Sequence, residues 1–105
     1  MEMVLKQKNC VNREYEMQIV NLPANVFTEI ISGIKEKFPA AVITENADSL
    51  WLPNVDPKWI DFSIELSENG CFIVSNLNGD ENSIIFDLIE TVLKKSHIEY
   101  NLEDV

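Results

Sequence analysis

Apolar and polar residues alternate from Arg13 to Asn21. Tyr15, Met17 and Ile19 fall on one side and Glu14, Glu16 and Gln18 on the other, the period of a half-buried strand. The segment before it, up to Asn12, has no clear period and reads as a short strand or an ordered arm. Pro23 suits a first helical turn, with Asn25 as an alternative cap. Phe27, Ile30, Ile31, Ile34 and Phe38 then recur at helical spacing until Pro39 ends the run. Gly33 lies inside this helix at a cost of about 1 kcal/mol against Ala, which predicts a close approach of the sheet there.

The middle of the chain reads as four short strands. Ala40 to Thr44 is the first, Glu45 to Asp48 a turn, and Ser49 to Leu52 the second; Pro53 to Pro57 forms a loop between two prolines. From Trp59 to Ser67 the pattern alternates again, with Ile60, Phe62, Ile64 and Leu66 inward and Trp59, Asp61, Ser63, Glu65 and Ser67 outward. Glu68-Asn69-Gly70 turns the chain, and Cys71 to Leu77 returns as the fourth strand.

Two hairpin registers compete here. A two-residue Asn69-Gly70 loop pairs Leu66 with Ile73. A three-residue loop with Gly70 in a bulge pairs Leu66 with Phe72 and Ile64 with Val74, and this one keeps more apolar side chains on one face, so it is preferred.

Asn78-Gly79-Asp80 ends that strand and starts a second helix, with Asp80 at the N-cap, Glu81 in the first turn, and Lys94, Lys95 and His97 in the last, all in accord with the helix dipole. Its stripe is Ile85, Leu88, Ile89 and Val92, widened by Ile84, Phe86 and Leu93. Ile98, Tyr100 and Leu102 alternate as a final strand. The order β-α-β-β-β-β-α-β predicts one α+β domain over residues 1–105. It would be a mainly antiparallel sheet of five to six strands with two helices on one face, ferredoxin-like with an extra hairpin. The opposite sheet face is then open, and the row from Trp59 to Ser67 lies on it.

Charge changes this picture most. Residues 1–44 carry five acids and five bases; residues 45–79 carry six acids against Lys58; residues 80–105 carry seven acids against Lys94 and Lys95. The net charge of −10 therefore belongs to the last 61 residues. Such a field repels phosphate backbones and anionic lipid and attracts basic surfaces. With a single Arg and no basic-aromatic patch, nucleic acid is not an expected partner, nor is a membrane. The opening Met1-Glu2-Met3-Val4-Leu5-Lys6 shows no signal peptide and no apolar run reaches a bilayer span, so a cytoplasmic protein with reduced Cys10 and Cys71 is expected.

Candidate chemistry is sparse. Asp61 and Glu65 share one strand face, but their Cα atoms should lie about 13 Å apart, beyond the roughly 5–9.5 Å between paired glycosidase carboxylates. His97, Cys71 and Cys10 have no zinc spacing, and a Cys71–His97 dyad depends on the fold bringing the two together. Asn78-Gly79-Asp80-Glu81 opens a helix where an anion could bind, but Asp80 and Glu81 already occupy that field and would repel a phosphate, and no acid run has an EF-hand pattern. No catalytic residue, metal or cofactor is expected. Trp51 and Trp59 bracket the acidic loop Pro53-Asn54-Val55-Asp56-Pro57 and would serve as interface anchors, or else complete the core.

These features favour a non-catalytic acidic binding protein that neutralises a basic protein. Its contact carboxylates would come from Asp48, Asp56, Asp61, Glu65 and Glu68, with Trp51 or Trp59 as apolar anchors. In size, charge and absence of catalytic motifs the chain resembles the small acidic immunity proteins that bacteria make against their nuclease toxins. The resemblance implies a cationic toxin domain as the partner. Two alternatives are a small-ligand binder or enzyme with a cleft between sheet and helices, and a homodimeric adaptor that pairs through its last strand.

Overall fold

The computed structural model describes residues 13–54, 60–77 and 79–104. Cys10, Asp56, Lys58 and Trp59, with the centre of the Pro53–Pro57 loop, lie outside the described residues. The elements run β1 (Arg13–Gln18), α1 (Ala24–Lys37), β2 (Val42–Ile43), β3 (Ser49–Pro53), β4 (Ile60–Ser67), β5 (Gly70–Ser75), α2 (Gly79–Lys95) and β6 (Asn101–Asp104). The strands form one sheet in the order β2-β3-β4-β5-β1-β6, and each neighbouring pair is antiparallel. The expected α+β class, antiparallel sheet and two helices are all present. Without the β2–β3 hairpin the order is β4-β5-β1-β6, which is compatible with a ferredoxin-like plan.

One face of the sheet carries the core. Met17, Leu50, Leu52, Phe62, Ile64, Cys71 and Ile73 point inward and join Phe27, Ile30, Ile34, Ile85, Ile89 and Leu93 of the helices in one buried cluster. Their alternation in the strands and their three- and four-residue spacing in the helices place them there. Pro23 caps α1 in extended conformation, and its carbonyl accepts the N–H groups of Val26 and Phe27 at 3.1 Å each. Lys35 closes the other end by donating to the carbonyls of Pro39 (2.8 Å) and Ala41 (2.6 Å). α2 ends in a Schellman turn: His97 has φ 57°, its N–H reaches Lys94 O at 3.1 Å, and Ile98 N–H reaches Leu93 O at 2.9 Å. An ion pair between Lys95 and Glu29 ties the helices together at the surface.

The structure corrects several local expectations. In the β4–β5 hairpin Ser67 pairs with Gly70, Leu66 with Cys71 and Ile64 with Ile73, with Glu68 and Asn69 as the turn. Neither competing register is the one adopted. The cause is β1: an added Cβ on Gly70 would sit 2.0 Å from Met17 O, its φ is +140°, and Ile19 N–H bonds Asn69 O at 2.8 Å. Gly70 is thus needed for the close approach of β1 rather than for a bulge in the turn. Cys71, Ile73 and Ser75 consequently face inward and Phe72 and Val74 outward. The buried Ser75 hydroxyl is satisfied by donating to Asn82 Oδ1 at 2.6 Å.

Ile60, expected inward, is 49% exposed because the β3–β4 register shifts at Leu52/Pro53. Gly33 faces Leu88 of α2, not the sheet. α2 begins at Gly79, so Asp80 lies in its first turn instead of at the cap. The last strand starts at Asn101, after the Schellman turn, and takes in the acidic Glu103 and Asp104. Among the described residues no helix is long and apolar enough to cross a membrane.

Candidate binding face

The sheet face opposite the helices is built by register. One row across it is Val42, Trp51, Ser63, Val74 and Glu14; the next is Ser49, Glu65, Phe72, Glu16 and Glu103. Trp51 stands opposite Ser63, so across the strand it lies between Asp61 and Glu65. Trp51, Phe72 and Val74 are half-buried and Val42 is exposed, forming an apolar patch. Glu14, Glu65 and Glu103 are exposed, while Asp61 and Glu16 are half-buried.

Hydrogen bonds hold part of this surface in place. Asp61 Oδ1 accepts from Asn54 Nδ2 at 2.7 Å. Gln18 Nε2 donates to Glu103 Oε1 at 3.1 Å, and Asn101 Nδ2 donates to Gln18 Oε1 at 3.3 Å. Glu16 and Glu103 are directly opposite on neighbouring strands, an unfavourable like-charge pair.

The described cations lie elsewhere. The Arg13 guanidinium donates to Leu77 O on the core side, Lys35 and Lys37 end α1, and Lys94 and Lys95 end α2. Among the described residues, the open face therefore holds five carboxylates and no cation. Its acids come from both halves of the chain, including Glu14 and Glu16 from the half with no net charge.

The predicted site residues separate into groups. Trp51, Asp61 and Glu65 meet on the open face. Asp48 and Glu68 lie in turns at one end of the sheet. Asp48 Oδ1 accepts from Thr44 Oγ1 at 2.7 Å and its carbonyl accepts Leu66 N–H at 2.9 Å, so this residue serves the turn. Asp56 and Trp59 lie outside the described residues. Sequence reasoning missed Phe72, Val74 and Val42, and did not join Glu14, Glu16 and Glu103 to the site. The alternation of β1 did signal that Glu14 and Glu16 face outward; which strands flank β1 is a non-local fact.

Beyond the strand ends, residues 18–21, 68–69 and 97–101 enclose an open cleft of about 950 Å³. His97 lines it, but Cys71 does not. Cys71 is fully buried in the core, and that burial pushes its thiol up to about 12, so it carries no thiolate near neutral pH. Tyr100, also on the cleft, donates its hydroxyl to Glu90; this bond, with burial and the Glu90 charge, pushes the phenol up to about 12. Among the described residues no group of three or more His, Cys, Asp or Glu side chains could hold a metal ion. No protein-family model matches this chain, and no curated protein or solved structure matches it either.

Proposed function

We propose that this chain is a non-catalytic binding protein that docks its open sheet face on a basic surface of another protein and so blocks it. The observation that carries the reading is the segregation of charge: Glu14, Glu16, Asp61, Glu65 and Glu103 share a face with Trp51, Phe72, Val42 and Val74, while the described cations lie on the helix side. Clustered carboxylates steer a cationic partner into contact, and a central aromatic patch supplies the buried area that holds it. A face of this kind can take the place of a phosphate backbone in a basic cleft. The partner that suits it best is a cytoplasmic nuclease-type toxin domain, with this protein as its immunity protein.

Self-association through β6 is the weaker reading, because this short edge strand carries the exposed carboxylate of Glu103, which two paired copies would bring close together. The test is a nuclease assay of the captured partner. Stoichiometric addition of this protein should abolish cleavage at low salt and lose its effect as salt is raised. Unchanged cleavage by a partner bound at full occupancy would refute the neutralising role.

A further inference from the structure

The cleft beyond the strand ends has a chemistry of its own. Glu68 enters from the β4–β5 turn and Glu99 from the α2–β6 connection, with no Lys or Arg among the described residues that line it. Tyr100 lines the same cleft, and its ring is restrained by packing against the core cluster and by the bond from its hydroxyl to Glu90. Val20 lines the cleft while 89% exposed, the most exposed of the large apolar side chains described. Asn21 and His97, which also line it, hold left-handed backbone conformations, with φ 54° and 57°. Gln18 and Asn101 belong both to the cleft and to the hydrogen-bonded ladder reaching Glu103 on the open face, so the two surfaces are continuous.

Carboxylates, a restrained aromatic ring and an exposed aliphatic side chain are what a guanidinium on an aliphatic stem requires. The planar head can be bound by carboxylates and stack on a ring, and its methylenes can cover an apolar group. We propose that the cleft is an arginine-binding site, filled by an arginine side chain of the basic partner. This rests on the reading that the open sheet face docks that partner, and it places an anchoring pocket at the end of the same footprint.

The test uses Nα-acetyl-arginine amide as the probe and its neutral isostere, Nα-acetyl-citrulline amide, as the control, each titrated into the full chain and followed by amide NMR. The arginine probe should shift the resonances of Val20, Glu68, Glu99 and Tyr100 saturably, and citrulline should bind at least about tenfold more weakly. Glu68→Gln with Glu99→Gln, both at exposed positions, should weaken the arginine probe by a similar factor. Glu36→Lys, at the exposed end of α1, should leave it unchanged, and the sheet-face variant Asp61→Lys with Glu65→Lys is kept for whole-partner binding. Equal shifts from the two probes, or shifts confined to the sheet face, would overturn the site. The docking reading is judged separately, by whether the sheet-face variant still retains the whole partner protein.

Discussion

Two glycines show how differently one residue type can be constrained. At Gly70 an added Cβ would meet the carbonyl oxygen of Met17 at 2.0 Å, and backbone cannot give way as a side chain can. At Gly33 the nearest atoms are the terminal carbons of Leu88, at 3.1 and 3.3 Å, which can rotate aside. Gly70→Ala should therefore cost well over about 1 kcal/mol and loosen the β1–β5 pairing. Gly33→Ala, which gains helix propensity against slight crowding, should stay within about 1 kcal/mol of the parent. Urea unfolding midpoints of the two variants check this pair.

Cys71 and Tyr100 make a second residue-scale prediction. Each binds its proton more tightly in the folded chain than in the unfolded one, where the ordinary values are 9.0 and 10.0. The stability they contribute is whole below about pH 9 and is lost as pH rises toward about 12. Denaturant titrations across that alkaline range should show falling stability, and Tyr100→Phe should flatten part of the fall.

At the scale of elements, the informative case is β1 against β6. The pairing of Glu16 with Glu103 is unfavourable, and a fold selected for stability alone would not place it there. Glu16→Gln should stabilise the free protein by a few tenths of a kcal/mol up to about 1 kcal/mol, less at high salt. The same change should weaken partner binding; a thermal melt and a binding titration of one variant test both directions.

Elements were also where the sequence was most and least legible. Helices α1 and α2 were readable because their apolar stripes are local, and the alternation of β1 and β4 was readable for the same reason. The inward and outward sides of β5 were not. Gly70 looked like a turn residue, whereas its role is set by β1, more than fifty positions earlier in the chain. That one misplacement hid Phe72 and Val74 from the candidate site. Trp51, Asp61 and Glu65 were legible as candidates, but their meeting with Glu14, Glu16 and Glu103 depends on strand order, which no local pattern encodes.

At the scale of the whole molecule, one sheet face holds the core and the other holds acids around an aromatic patch, with the described cations on the helix side. Association through such a face should be fast at low salt and slow steeply as salt rises. The most direct measurement is a capture from lysate of the protein's own host, with three baits run in parallel at low salt and eluted by a salt step. These are the parent, the open-face variant Asp61→Lys with Glu65→Lys and Trp51→Ala, and the helix-side control Glu36→Lys, all first checked for folding by circular dichroism. The parent and the helix-side control should each retain the same basic protein in stoichiometric amount, and the open-face variant should lose it. Retention of that protein by the open-face variant at the parent's level would contradict the assignment of the open face as the binding surface.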